Sequence, residues 1–255
     1  MTAPLARTLS SLAAVVMTVA CTSYYEISIE TPIRPKLDVS AFQRVLAAGF
    51  ISGGTDNVDG NLETTRLLRS QLRTKSEMRV IDTDVLPLMD VAAESRSTSD
   101  TPPENENTPP GVIREDSDLE PYEHVFADVE YWKRIGEEYQ QPLIVTGTVM
   151  FAPQARSGIV QRDQEVYDSF GRRRVVPVRT YMERKGFVLK PRFIFIDGRT
   201  GTVLHSENFR EEILYNANQT SPALSSYFEL MDRLIPSFLS TLSSQKIKGT
   251  RVLLQ

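Results

Sequence analysis

Residues 131–151 read YWKRIGEEYQQPLIVTGTVMF, and this stretch decides the fold. Trp132, Ile135 and Tyr139 recur at helical spacing, Pro142 stops the helix, and residues 143–151 follow as an apolar strand with Gly147 inside it. A helix feeding directly into an apolar strand calls for a sheet packed with helices. The helical pattern extends back through Val125 and Val129, so one helix is predicted over residues 122–139. Downstream, residues 186–196 alternate strongly, Asp197-Gly198-Arg199-Thr200-Gly201 reads as a turn, and residues 202–214 return as the hairpin partner.

Upstream, residues 41–52 form a buried strand that ends in Gly53-Gly54, and residues 61–75 form an amphipathic helix. That helix carries Leu62, Leu68 and Leu72 on one face and Arg66, Arg69 and Arg73 on the other, with Asp59 or Asn61 as its cap. Residues 78–81 make a short strand. Residues 221–242 are the strongest helix, with Ser221 as cap and a stripe of Leu224, Phe228, Met231, Leu234, Ile235, Phe238 and Leu242. The order implies an α/β (α+β) fold, a mixed central sheet of about five to six strands packed with three helices. One domain is expected over residues 38–245, with a strand or tail at 246–255.

Charge is unevenly spread. Between residues 82 and 130, 14 acids face only Arg96 and Arg114. Between residues 156 and 192, 10 basic residues face Asp163, Glu165, Asp168 and Glu183. Residues 94–120 are rich in Pro, Ser, Asn and acid, too poor in apolar surface to offset their ordering entropy, and are expected to be a disordered loop. Residues 153–186 are expected to protrude as a basic hairpin.

The amino terminus points to export. Residues 1–20 contain Arg7, no acid, and an apolar run of about 12 residues, too short for a spanning helix and suited to a cleaved signal. Cys21, the only cysteine of the chain, closes that run in Thr18-Val19-Ala20-Cys21. This is similar to the lipobox of bacterial lipoproteins, which implies acylation of Cys21 and membrane attachment through it. A lone cysteine forms no internal disulfide, and two or more acyl chains hold a soluble body at a membrane. Residues 21–37 would then be a lipidated tether, with one short edge strand at most. Thr22 lacks the aspartate that retains many lipoproteins at the inner membrane, so the periplasmic side of the outer membrane is the expected address.

The strand ending in Gly53-Gly54, LLRSQLRTKSEMRVID at 67–82, residues 131–151, and FIFIDGRTGTVLHSE at 193–207 together resemble a periplasmic lipoprotein superfamily. It includes the curli secretion channel lipoprotein, the penicillin-binding-protein activator LpoB and the amino-terminal domain of TolB. The resemblance implies a membrane-tethered, non-catalytic binding or assembly module. It departs from the channel members because residues 156–186, where a membrane hairpin would lie, are crowded with charge and contain Pro177.

Three site readings remain. Arg172, Arg173, Arg174 and Arg179, with Tyr167, Phe170 and Tyr181 nearby, would dock an envelope protein, an acidic polymer such as a glycan, or anionic lipid headgroups, and nucleic acid is not expected for an exported chain. Gly53, Gly54, Asp56 and Asp59 could hold an ion or anion at the start of the 61–75 helix, the basis of an alternative reading as an envelope hydrolase or metal-dependent enzyme. A capped turn explains that loop more simply. The third reading is a subunit of an outer-membrane secretion channel, with an oligomer implied. No catalytic residue, metal or cofactor is expected, and His124 and His205 are read as surface or structural residues.

Overall fold

The computed structural model describes residues 24–97, 113–216, 219 and 221–254. Cys21 and residues 98–112 lie outside the described residues, so the lipidation site and most of the expected acidic loop do too. The chain divides into two units, residues 1–35 with 243–255, and residues 36–242.

In the first unit, β1 (Tyr24–Ile33) pairs antiparallel with β8 (Gln245–Leu254) along its whole length, from Tyr24 opposite Leu254 to Ile33 opposite Gln245. The expected tether and tail are therefore two partnered strands of ten residues each. Alternation around Ile27 and Ile29 was the local signal, but their partner lies over 200 residues away and pairing is not visible in either segment alone.

The second unit holds β2 (Arg44–Gly54), α1 (Gly60–Lys75), β3 (Arg79–Val80), α2 (Leu88–Ser97), a 3-10 turn (Asp116–Tyr122), α3 (His124–Ala127) and α4 (Val129–Glu138). These are followed by β4 (Leu143–Tyr167), β5 (Arg173–Asp197), β6 (Val203–Asn208), β7 (Glu211–Asn216) and α5 (Ala223–Leu242). The sheet runs β3-β2-β4-β5-β6, with β7 also on β5. β2 is parallel to β3 and β4, whereas β5 is antiparallel to β4, β6 and β7. It is the mixed sheet expected from the sequence.

Two hydrophobic layers cover it. Odd-numbered residues of the central strands, such as Val145, Phe151, Phe193 and Phe195, pack with Leu68 and Leu72 of α1 and Tyr227, Leu230 and Phe238 of α5. Even-numbered residues, such as Ile144, Met150, Ile194 and Ile196, pack with Leu88 of α2, Val125 and Phe126 of α3, and Trp132 and Ile135 of α4. Because both faces are covered, strands 44–51 and 143–151 read as continuous apolar runs.

Several local expectations give way to tertiary contacts. The helix predicted over 122–139 breaks at Asp128, whose carboxylate caps α4 by accepting from the Tyr131 amide at 3.0 Å. Val129 is consequently exposed. In α5, Leu224 and Phe228 are exposed and Tyr227 and Leu230 take the buried face, while Pro222, rather than Ser221, supplies the carbonyl that accepts the Ser226 amide. Arg69 is not on a solvated face: its guanidinium donates to the carbonyls of Ala47 at 2.9 Å and Thr83 at 2.6 Å. Of residues 94–120, expected as a disordered loop, 94–97 complete α2 and Ile113 and Leu119 are buried.

Prolines mark where ladders end. Phe209 N donates to Pro191 O, which places the peptide groups of odd-numbered β5 residues on the side facing β6 and β7. The missing N–H of Pro191 falls at the break between β6 and β7, so the predicted return strand of residues 202–214 is split in two. By the same parity Pro177 lacks a donor on the outer edge of β5. Pro153 of β4 lacks one on the side facing β2, and the β2 ladder stops at Gly54 opposite Phe151. None of the three interrupts the β4–β5 ladder.

Candidate functional site: a two-stranded ribbon

β4 and β5 are each 25 residues long, and only their inner halves lie in the sheet. They stay in register from Leu143 opposite Asp197 to Tyr167 opposite Arg173. Pairing with β2 ends at Phe151 and pairing with β7 ends at Arg184, so beyond those points the two strands leave the sheet as a ribbon with both outer edges unpaired. Its surface carries large apolar side chains: Ile159 is 72% exposed, its cross-strand partner Tyr181 67%, Tyr167 70% and Phe170 81%. Isolated two-stranded hairpins are marginal in water. This one is held by continuation of its strands into the core.

The tip is built around Asp168. Its carboxylate accepts from the amides of Phe170 at 3.0 Å and Arg172 at 2.9 Å, and from Arg172 Nε at 3.2 Å. Gly171 closes the turn with φ +74, a left-handed geometry that glycine adopts without strain. Arg174 lies 3.7 Å from the same carboxylate, and Arg173 pairs with Glu165. The Arg172 guanidinium stands over the Phe170 ring at 5.4 Å. The structure thus brings Arg172, Arg173 and Arg174 together at the tip, with two acids partly balancing them. Arg179 sits farther down the ribbon opposite Gln161.

At the ribbon's base the acid-rich and base-rich segments meet. Lys190 pairs with Asp116 and Arg192 with Glu123. Exposed ion pairs of this kind stabilise by at most about 1 kcal/mol each, and their effect here is to orient the 3-10 turn against β5. A cleft of about 350 Å³ opens between that turn and the strands, lined by Arg114, Asp116, Met150, Gln154, Val188 and Lys190.

The 53–61 loop is committed to structure. The Gly54 amide donates to Ile113 O at 2.8 Å and the Thr55 amide to Phe151 O at 2.9 Å. Asp59 caps α1 by accepting from Leu62 N at 3.0 Å, and Asn61 turns back to accept from Phe50 N at 2.7 Å beside a bulge at Gly49. Asp56 is exposed on the loop. A side chain at Gly53 would meet Ile113 at 2.3 Å, which accounts for the glycine without an anion. Among the described residues no group of three His, Cys, Asp or Glu side chains is placed to share a metal ion.

His124 contacts Pro121 O through Nδ1 at 2.8 Å, and His205 stacks near Phe195 with Nε2 3.5 Å from Glu207. Glu207 is the better-tied group. Burial would raise its pKa, but bonds from Lys36, Thr241 and His205 outweigh that and hold it below the usual carboxylate value. Tyr167, Phe170 and Tyr181 are legible beside the basic run, whereas Ile159 and its pairing with Tyr181 are not. The signal for the pair was two residues of high β propensity in a stretch otherwise read for its charge.

No protein-family model and no curated protein matches the chain. No helix among the described residues is long and apolar enough to cross a membrane. Among solved structures, a lipoprotein of Neisseria meningitidis aligns over 77% of this chain and 97% of its own at 10% identity, with a TM-score of 0.33. A neuraminyllactose-binding hemagglutinin homolog of Helicobacter pylori aligns over 82% of this chain and 86% of its own at 9% identity, with a TM-score of 0.34. A PDZ domain protein of Parabacteroides distasonis aligns over 93% of this chain and 41% of its own at 10% identity, with a TM-score of 0.18. These scores are too low for any of the three to assign a role to this chain.

Proposed function

We propose that this chain is a lipid-anchored, non-catalytic binding or assembly module of the bacterial cell envelope. Cys21 carries the acyl anchor, the periplasmic side of the outer membrane is its address, and the β4–β5 ribbon docks an envelope protein or acidic polymer. The observation that carries the reading is the ribbon itself. Exposed Tyr, Phe, Ile and Arg side chains on a projecting, core-anchored element are the composition of a contact surface. The apolar leader closing on Cys21 supports the address.

Mass spectrometry of protein extracted from membranes tests the anchor: the mature chain should begin at acylated Cys21, and Cys21→Ser should move the protein to the soluble fraction. A chain starting at Met1 with a free thiol refutes it. Reversal of Arg172, Arg173 and Arg174 to Glu should weaken in-cell crosslinking to the partner with no change in unfolding midpoint. Unchanged crosslinking refutes docking at the tip.

A further inference from the structure

The ribbon's two faces differ in charge. Even-numbered positions of β4 from 152 to 166 and their partners from 174 to 188 lie on one face. That face bears Arg156, Arg162, Arg174 and Arg184 and no Asp or Glu. Between the arginines it carries Val160, Val166, Val176, Val178 and Met182. The opposite face holds Asp163, Glu165 and Glu183 against Arg173, Arg179 and Lys185, with Glu165–Arg173 and Glu183–Lys185 in contact. Both faces carry apolar side chains, with Ile159, Tyr167, Val175 and Tyr181 on the odd-numbered one; what separates them is charge, balanced on the odd-numbered face and uniformly basic on the even-numbered one.

Arg156 and Arg174 of the basic face are partly neutralised by Glu212 and Asp168, whereas Arg162 and Arg184 have no ion-pair partner among the described residues. From Arg156 to Val166 the face extends about 34 Å at roughly 3.4 Å per residue. A shallow pocket of about 230 Å³ lies between Arg156, Val160, Met182, Arg184 and Leu214. The apolar side chains are short and spread along the strands, with no deep concavity to receive an anchor residue. Arginines that reach phosphates while valines meet the acyl boundary suit a laterally uniform, negatively charged, fluid surface.

We infer that the even-numbered face of the ribbon lies against an anionic phospholipid bilayer. The inference deepens the proposed envelope role and rests on it for the membrane's proximity, but the contact is made by the ribbon and is independent of the acyl anchor. With the anchor holding the domain near the surface, weak contacts suffice, because a tethered site sees a high effective concentration.

The test uses neighbouring positions on opposite faces. In full-length Cys21→Ser protein, Val176→Cys and Val175→Cys each place one thiol on the ribbon, 41% and 56% exposed respectively in the native residues. Each thiol is labelled with an environment-sensitive fluorophore and titrated with phosphatidylcholine vesicles, with or without phosphatidylglycerol. The label at 176 should shift to the blue with anionic vesicles only, and the label at 175 should not. Arg162→Gln with Arg184→Gln should weaken the response at 176 by roughly 30-fold, since each basic residue at an anionic surface contributes about fivefold. Arg179→Gln on the other face should leave it unchanged. Equal responses at 175 and 176, no response, the same response to neutral vesicles, or tighter binding to soluble polyglutamate than to vesicles overturns the assignment. Failure here with acylated Cys21 in the mass spectrum refutes the ribbon contact alone.

Discussion

Gly136→Ala separates tertiary contact from helix propensity by the sign of its effect. Gly136 lies within α4, where alanine in an unpacked helix would stabilise by about 1 kcal/mol. Here a Cβ at 136 would fall 1.7 Å from Gly198 O and 2.5 Å from Gly198 C. The helix rests with its backbone directly on the Asp197–Gly201 turn. A Cβ at Gly198 would meet Pro142 O at 2.4 Å, and one at Gly201, where φ is +76, would meet Val129 O at 2.1 Å. Ordinary contact begins near 3.4 Å, so α4 and the turn must part by well over 1 Å. Neither contact atom is the end of a flexible side chain. Overpacking costs about 1–3 kcal/mol, and a 1.7 Å approach to backbone atoms puts this case at the upper end, about 2 kcal/mol beyond the propensity gain. For a chain of this size each kcal/mol lowers the melting temperature by about 2–4 °C, so a loss of roughly 4–8 °C is expected. Thermal unfolding followed by circular dichroism checks it, with Gly158→Ala in the ribbon as control, since no atom lies within 4 Å of its Cβ position. A Gly136→Ala protein that melts higher than the parent would refute the direct helix-on-turn contact.

Tyr227→Phe should cost about 1 kcal/mol in urea denaturation: the hydroxyl bonds Thr64 and Gly60 O at 3.2 Å in a fully buried site, but Thr64 keeps its own bond to Gly60 O at 2.6 Å and is not orphaned. Asp197 is subject to burial that would raise its pKa, yet its bonds from the Arg199 amide and guanidinium outweigh this and depress it below 3.8. A depressed carboxylate contributes stability that is present above its unfolded value and lost as pH falls through the folded one. Asp197→Asn should therefore lower the urea midpoint at pH 7 and flatten its decline below about pH 4, and an unchanged acid limb would exclude Asp197 as a contributor. Pro177→Thr gives the outer edge of β5 its missing donor, and sedimentation velocity should then show more self-association than the parent at equal concentration.

Where apolar period and burial coincide, the elements were legible. Residues 143–151 and 186–196 are central strands because nothing charged interrupts them before Lys190, and Lys190 finds Asp116 at the sheet's rim. The misreadings have two causes, a partner distant in sequence for Arg69 and a local cap for Val129. Arg69 looked like a solvated-face residue at its helical spacing but serves two carbonyls across the helix. Val129 fitted a helical stripe, but Asp128 restarts the helix and turns it outward. For the site, the basic run 172–174 was visible as composition, while its neutralisation by Asp168 and Glu165 depended on a turn geometry that composition does not encode. The difference between the ribbon's faces was the least visible feature, because it needs the register of β4 on β5.

That register also ties the faces to the core. Odd residues of β4 and β5 point into the layer with α1 and α5 and even residues into the layer with α2, α3 and α4, with continuous one-to-one pairing from Leu143 to Tyr167. The acid-free face is therefore the outward extension of the surface that carries Ile144, Met150 and Ile194. A slip of β4 by a single residue beyond Phe151 would set Arg162 among the acids of the other face and turn Asp163 into the basic one, and the same slip of β5 would move Arg184. No such slip can be absorbed inside the sheet, where it would expose Val145 or Phe193 and bury the wrong parity against the helices. The orientation of the ribbon's charge is thus set by the burial of large side chains some 20–40 Å away, and the docking face inherits its definition from the core.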